Sequence, residues 1–169
     1  MERFRHIAGF DYDTYRAAYD AYFRGFMERG EIPLKQGVKE LLGWLRLHGK
    51  KTGLATSTYA EKAMHELHMA GIDGLFDAVV TGDTVKNSKP DPEIYLKCLK
   101  KLDLPAERAL GVEDSYNGIR SLSAAGMHPI MVPDILPVTD EVRGKAELIL
   151  PDLNEVCRYL EKQMSVAVS

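Results

Sequence analysis

The chain has 169 residues, of which 45% are hydrophobic and 28% charged, proportions typical of a soluble globular protein with one buried core. Its net charge is −3, from 22 basic and 25 acidic residues, and this balance gives no support for a nucleic-acid surface. No apolar run approaches the roughly 20 residues that span a membrane, and charged residues interrupt any signal-peptide pattern. The two cysteines, Cys98 and Cys157, fall on apolar helix faces, which predicts a reduced, cytoplasmic protein.

Helical and strand-like patterns alternate along the chain. Apolar residues spaced three and four apart predict helices, and short apolar runs between them predict strands. The predicted helices cover residues 13–28, 35–48, 60–70, 92–102 and 152–163, and the predicted strands cover 51–55, 77–81, 108–112, 130–132 and 148–150. This order favours an α/β fold with a mostly parallel sheet and right-handed crossovers.

Polar side chains follow the strands at one predicted sheet edge, because parallel strands joined by helices place all their carboxyl ends together. Thr56 follows the first strand and precedes a helix. It either binds an anion such as phosphate beside free backbone N–H groups or, with Ser57 and Thr58, caps that helix. Lys89 lies in a loop stiffened by two prolines, where it either neutralises a phosphate or a carboxylate or is solvated.

An acidic pair, Glu113 and Asp114, lies between a short apolar run and a helical pattern in the segment GVEDSYNGIRSLSAAG. Two adjacent carboxylates repel each other unless a cation or a proton intervenes. Carboxylate oxygens without nearby Cys or His suit Mg²⁺. The alternative is that the pair interacts favourably with the helix dipole.

The three segments together resemble motifs of the haloacid dehalogenase superfamily of aspartate-dependent phosphotransferases. The segment GLATSTYAEKA is similar to the second motif, KPDPEIYLKCLKKL to the third and GVEDSYNGIRSLSAAGM to the fourth. The resemblance is to the branch that contains β-phosphoglucomutase and sugar-phosphate phosphatases. It implies a Rossmann-like core with Thr56, Ser57 and Lys89 binding phosphate, Thr56 and Lys89 acting in catalysis, and Glu113 and Asp114 holding Mg²⁺.

The resemblance also implies a first motif, DxDG[TV], which carries the nucleophilic aspartate and a second, acid–base aspartate. Residues 31–169 are predicted to form the α/β core, incomplete at its N-terminus, and residues 1–30 a remnant of a helical cap or a gap-filling segment. The string GFDYDT contains Asp11 and Asp13 but lacks the glycine that lets the chain turn after the motif. An aspartate at a helix start explains this string, and the alternative is that Asp11 is the nucleophile.

In the family, the strand that bears the first motif lies between the strands that end at Thr56 and Glu113. Its absence would leave backbone groups on both neighbours unpaired, at a cost of about 1–3 kcal/mol for each buried group. We therefore expect that another segment fills the position, that a partner chain supplies it, or that the fold differs locally. Residues 3–10 are the internal candidate.

The leading hypothesis is a magnesium-dependent phosphatase or phosphomutase that acts on a small phosphorylated metabolite, such as a sugar phosphate. The chain alone is expected to have little or no turnover, because the nucleophile motif is missing. The alternative is a non-catalytic remnant that binds phosphate-containing ligands or self-associates, through the aromatic side chains of residues 15–26 or through strand exchange. A response-regulator-like phosphoacceptor is disfavoured, because the order of hydroxyl, lysine and acidic pair differs. Substrate identity is not predicted, since specificity in this branch resides largely in the cap.

Overall fold

The computed structural model describes residues 11–29, 32–134 and 137–167, and the chain divides into two compact units, residues 1–33 and 34–169. In the first unit, helix α1 covers Tyr12–Glu28. The Asp11 carboxylate accepts hydrogen bonds from the Asp13 amide at 3.1 Å and from the Thr14 hydroxyl at 2.5 Å, and so caps this helix. The GFDYDT string therefore contains a helix start, in agreement with that interpretation of the sequence.

The second unit alternates helices and strands, as the sequence predicts. Its helices are α2 (Val38–Leu47), α3 (Ala60–Ala70), α4 (Glu93–Leu102), α5 (Tyr116–Ala124), α6 (Asp140–Arg143) and α7 (Leu153–Ala167). Its strands are β1 (Gly53–Ala55), β2 (Ala78–Val80), β3 (Leu110–Glu113), β4 (His128–Met131) and β5 (Leu148–Ile149). The fold class predicted from the sequence is confirmed.

Several element boundaries differ from the predicted ones. Helix α2 begins at Val38 rather than at residue 35, because Gly37 has a φ of 87°, which no residue of a right-handed helix adopts. Strand β3 continues to Glu113, so the first residue of the acidic pair belongs to the strand. The sequence pattern does not predict the four-residue helix α6, which the Thr139 hydroxyl caps by accepting from the Val142 amide at 3.3 Å.

The described strands form two parallel sheets. Strand β1 pairs with β2, with Leu54 opposite Val79. Strand β4 lies between β3 and β5, with Val112 opposite Ile130. The predicted parallel pairing is therefore found within each sheet, but β1 and β3 are not hydrogen-bonded to each other.

Strands β1 and β3 each have one edge that no described strand covers. The Thr56 amide donates to a β2 carbonyl at 3.0 Å. In a parallel ladder the backbone groups of successive residues point to alternate edges of the strand, so the N–H and C=O groups of Ala55 face away from β2. The Glu113 carbonyl accepts from the amide that follows β4 at 2.8 Å, so the backbone of Val112 likewise faces away from β4. These are the two edges that the resemblance predicts to flank a further strand. The candidate segment 3–10 lies outside the described residues, so its placement there stays a prediction.

Helices cover both faces of the strands. Met131 of β4 packs with Ile119 and Leu122 of α5, whereas the adjacent Ile130 packs with side chains of α2 and α7. Because neighbouring strand residues point to opposite faces, α5 and the pair α2 and α7 lie on different sides of β4. Helix α4 packs on β1 and β2 and also contacts α5, so these two helices join the two sheets on one face.

Two predictions from composition can be compared with the described residues. Within 11–29, 32–134 and 137–167, no helix has both the length and the apolar character required to cross a bilayer. Both cysteines are free thiols, with Cys98 buried in the core and Cys157 half-buried. A cytoplasmic location stays a prediction.

Candidate active site

The Lys89 ammonium lies where β1 and β3 end. Its Nζ donates to the Ala55 carbonyl at 3.1 Å and to Glu113 Oε1 at 2.5 Å. The same atom lies 4.8 Å from the centre of the Tyr95 ring, within the range of a cation–π contact. Only 12% of the Lys89 side chain and 10% of that of Glu113 is exposed. Of the two alternatives for Lys89, the structure excludes the solvated side chain and brings the lysine to a carboxylate.

The Glu113 carboxylate accepts hydrogen bonds at both oxygens. The Tyr95 hydroxyl donates to Oε1, and the Ser115 hydroxyl donates to Oε2 at 3.1 Å. Burial, followed by the negative charge of Glu113, raises the pKa of the Tyr95 hydroxyl, so this group stays a protonated donor. A Cβ atom on Gly118 would collide with the carboxylate, so only glycine allows α5 to pack this closely. Glu113 therefore orients Lys89 through contacts that leave both of its own oxygens occupied.

The loop that carries Lys89 is held at both of its ends. Before Lys89, the Glu93 carboxylate accepts from the backbone amides of Lys86 at 3.0 Å and Asn87 at 2.9 Å. After it, the fully buried Ser121 hydroxyl donates to the Asp91 carbonyl at 2.6 Å. These bonds fix the loop to α4 and α5, and so fix the point from which the lysine extends.

The contact of Glu93 with this loop predicts a dependence of stability on pH. The Lys97 side chain, followed by the two loop amides, lowers the pKa of Glu93 from 4.5 to about 2. The contribution of the ionised group to folding is therefore complete above pH 4.5 and is lost as the pH falls toward about 2. We expect Glu93→Gln to be less stable than wild type at neutral pH, with the difference closing across this window. Urea unfolding of both chains across the window checks this, and a constant difference would contradict it.

Thr56 and Ser57 form the turn after β1. The Thr56 hydroxyl accepts from the Thr58 amide at 3.1 Å, and the Ser57 side chain is exposed. The Gly82 amide, in the loop after β2, donates to the Thr58 carbonyl at 3.0 Å. A Cβ on Gly82 would meet the Ser57 carbonyl, so the two loops approach as closely as a glycine allows.

The alternative that these hydroxyls cap α3 is not what the structure shows. The residue at the N-cap is Tyr59, whose side chain makes no capping hydrogen bond. Instead, the Asp83 carboxylate reaches across from the loop after β2 and accepts from the Ala60 amide at 3.1 Å. The phosphate-binding roles of Thr56 and Ser57 stay predictions.

Asp114, the second residue of the acidic pair, forms an ion pair with Lys35 rather than with Lys89. Its Oδ2 lies 2.8 Å from Lys35 Nζ, and Asp134 Oδ2 lies 3.1 Å from the same ammonium. Almost half of the Asp114 side chain, 46%, is exposed. The two residues of the acidic pair thus differ in surroundings, since Glu113 is enclosed by donors and Asp114 is accessible.

The donor set around Asp114 fits a hard divalent cation. Carboxylate oxygens of Asp114 and Asp134 already converge on one positive charge, the Lys35 ammonium. Mg²⁺ is commonly held by one or two protein carboxylates with water and phosphate completing its shell. In the part of the chain that the structure describes, no group of three or more Asp, Glu, His or Cys side chains forms a preassembled metal cluster. Mg²⁺ binding at Glu113 and Asp114 therefore stays a prediction.

Sequence reasoning missed several residues of this site. The apolar spacing of residues 92–102 indicates only a core position for Tyr95, and no motif in the sequence includes Lys35 or Asp134. Only Tyr95 could have been found from the sequence, because a tyrosine hydroxyl on a buried helix face needs a hydrogen-bond partner. Lys35 and Asp134 come from segments distant in sequence and have no such signal.

The comparison with known families agrees with the three motifs. The family model of haloacid dehalogenase-like hydrolases matches residues 3–132. The chain belongs to the haloacid dehalogenase-like hydrolase family. Protein CbbY of Cereibacter sphaeroides is 33% identical over 140 residues, which are 81% of this chain and 60% of that protein. A phosphorylated carbohydrates phosphatase of Thermotoga maritima is 40% identical over 94 residues, which are 56% of this chain and 44% of that protein.

The fold comparison supports the same family. The crystal structure of CbbY from Rhodobacter sphaeroides in complex with phosphate superposes with a TM-score of 0.73 at 31% identity, covering 88% of this chain and 67% of that one. This haloacid dehalogenase-like chain spans 60% and 44% of the lengths of the two relatives named above. The family predicted from the sequence is confirmed.

Proposed function

We propose that this haloacid dehalogenase-like chain provides the phosphate-binding and metal-binding parts of a magnesium-dependent phosphatase or phosphomutase. Its substrate is a small phosphorylated metabolite, and a sugar phosphate is favoured because one relative is a phosphorylated carbohydrates phosphatase. The observation that carries the proposal is the Lys89 ammonium, held between the Ala55 carbonyl and Glu113 beside the β1 turn. A fixed, desolvated cation of this kind stabilises the charge of a transferring phosphoryl group.

The proposed roles follow from the surroundings of each side chain. Lys89 contacts phosphate oxygens, and the hydroxyls of Thr56 and Ser57, with nearby backbone amides, bind the same group. Asp114 is accessible and binds Mg²⁺ directly. Glu113 is adjacent to Asp114 at the metal site, and its carboxylate keeps Lys89 in place. When bound there, Mg²⁺ supplies positive charge that offsets the repulsion between a carboxylate nucleophile and phosphate.

The attacking aspartate is proposed to come from a separate segment that carries the first motif and forms a strand between β1 and β3, because no DxDG[TV] string occurs in the 169 residues. Asp11 is assigned no such role, because its carboxylate caps α1. The chain alone is therefore expected to release little or no phosphate from sugar phosphates in the presence of Mg²⁺. Magnesium-dependent turnover that Asp11→Asn abolishes would contradict this assignment and restore GFDYDT as the nucleophile motif.

Replacing Asp114 tests the metal site without requiring turnover. We expect Mg²⁺ to shift the NMR amide signals of residues 113–118 in wild type, and Asp114→Asn to weaken this binding by at least about tenfold. Asp140→Asn removes an exposed carboxylate from the start of α6 and serves as the matched control, with affinity unchanged. Equal Mg²⁺ affinity in wild type and Asp114→Asn would remove Asp114 from the site.

A second candidate function is a non-catalytic protein that binds phosphate-containing ligands. The helix-capping role of Asp11 favours it, because that carboxylate is already engaged at 3.1 Å and 2.5 Å. Supplying the first-motif strand as an N-terminal extension separates the two candidates. Phosphatase activity that appears with the extension supports the enzyme, whereas binding without turnover supports the second function.

Self-association through residues 15–26 stays a prediction, for which sedimentation velocity is the direct measurement.

A further inference from the structure

Lys35 lies against the carboxylate that is proposed to bind metal, and the proposed reaction gives it no role. We propose that Lys35 is an internal counter-cation that competes with a divalent metal ion for Asp114 and so sets the metal affinity of the site. This inference rests on the proposed function, because it takes Asp114 as the metal-binding residue.

The geometry around Lys35 is that of a cation between two anions. Its Nζ lies 2.8 Å from Asp114 Oδ2 and 3.1 Å from Asp134 Oδ2, so these two oxygens lie within about 6 Å of each other. The side chains of Lys35 and Asp114 are 41% and 46% exposed. By comparison, the Lys89 side chain is 12% exposed and also bonds a backbone carbonyl. Lys35 therefore has the freedom to leave its partners that Lys89 lacks.

A metal ion and the Lys35 ammonium compete for the same carboxylate oxygen. When a metal ion binds Asp114, the Lys35 ammonium has two options. It withdraws from the carboxylate, or it stays a few ångströms from the metal ion and is repelled by it. At such a distance, shorter than the Debye length, salt screens the repulsion only in part. Neutralising Lys35 removes this competition and leaves both carboxylates unpaired, which favours metal binding. Lysine at this position consequently makes the empty site stable and the metal-bound site weaker.

The test is the affinity of the full chain for Mg²⁺ and for Mn²⁺, measured from amide shifts and from paramagnetic broadening near Asp114. We expect Lys35→Met to tighten binding about fivefold to tenfold, and Lys35→Arg, which keeps the charge, to resemble wild type. Lys50→Met is the matched control, because it lowers the net charge equally but removes an exposed lysine that precedes β1. Binding by the control should stay within about twofold of wild type. Unchanged or weaker binding in Lys35→Met overturns the proposal.

A double variant separates this inference from the proposed function. In the Asp114→Asn background, Lys35→Met should no longer tighten metal binding, because the contested carboxylate is gone. If Asp114→Asn weakens binding but Lys35→Met does not strengthen it, the metal site stands and the role of Lys35 is wrong. If wild type binds metal and Asp114→Asn binds it equally well, the proposed metal site is wrong, and the inference fails with it. If neither wild type nor Lys35→Met binds metal, the proposed metal site and the role of Lys35 are both contradicted.

Discussion

Lys89→Met is expected to lower the free energy of unfolding by about 3–5 kcal/mol, because it leaves the Glu113 carboxylate buried without its cation. Both side chains are mostly buried, with exposures of 12% for Lys89 and 10% for Glu113, so water compensates only in part for the lost partner. Methionine keeps the aliphatic length of the lysine, so most of the loss is electrostatic. Urea unfolding at neutral pH measures the effect.

Two further chains make the result interpretable. Adding Glu113→Gln to Lys89→Met removes the unpaired charge, and we expect the double variant to recover a substantial part of the lost stability. Lys100→Met, at an exposed position of α4, is the matched control and should change stability by less than about 0.5 kcal/mol. An equal loss in the single and double variants would show that packing, rather than the buried charge, determines the effect.

Gly118→Ala is expected to lower the free energy of unfolding by about 2–3 kcal/mol, although alanine is the better helix former. The added Cβ would collide with the Glu113 carboxylate, which Lys89, Tyr95 and Ser115 hold in place. Neither helix α5 nor the carboxylate can yield without breaking several hydrogen bonds. Urea unfolding of wild type and variant gives the change directly.

The matched control for this substitution is Gly43→Ala. Gly43 lies inside helix α2, and a Cβ there would meet no atom within 4 Å. We therefore expect the same chemical change to raise stability by about 0.5–1 kcal/mol at this position. Opposite signs at the two glycines would establish the contact with Glu113 as the cause. A stabilising effect at both positions would contradict the close packing of α5 on the site.

The part of the site that follows from strand ends was predictable from sequence. Lys89 lies just before two prolines in the loop after a predicted strand, and Glu113 directly follows an apolar run that predicts a strand. The carboxyl ends of parallel strands meet at one edge of a sheet. The contact between Lys89 Nζ and Glu113 Oε1 at 2.5 Å is the convergence that this rule predicts. The α/β order was predictable for the same reason, since helical and strand periods are local properties of a sequence.

The remaining features depend on tertiary contacts that leave no local pattern. That Thr56 does not cap α3 depends on Asp83, which accepts from the Ala60 amide across from the loop after another strand. The different surroundings of Glu113 and Asp114 depend on Tyr95 and Lys35, which belong to separate helical and loop segments. The four-residue helix α6 is too short to show a helical period.

The pairing of lysines with carboxylates also determines the charge that an incoming ligand meets. Two ammonium groups, Lys35 and Lys89, lie among three carboxylates, those of Glu113, Asp114 and Asp134, which leaves this set with one net negative charge. Without a bound metal ion, this set repels an approaching phosphate dianion at long range. A divalent cation is attracted, and its binding changes the net charge of the set from negative to positive. We therefore expect cation and phosphate to bind in that order, with phosphate affinity rising steeply as the divalent cation concentration increases.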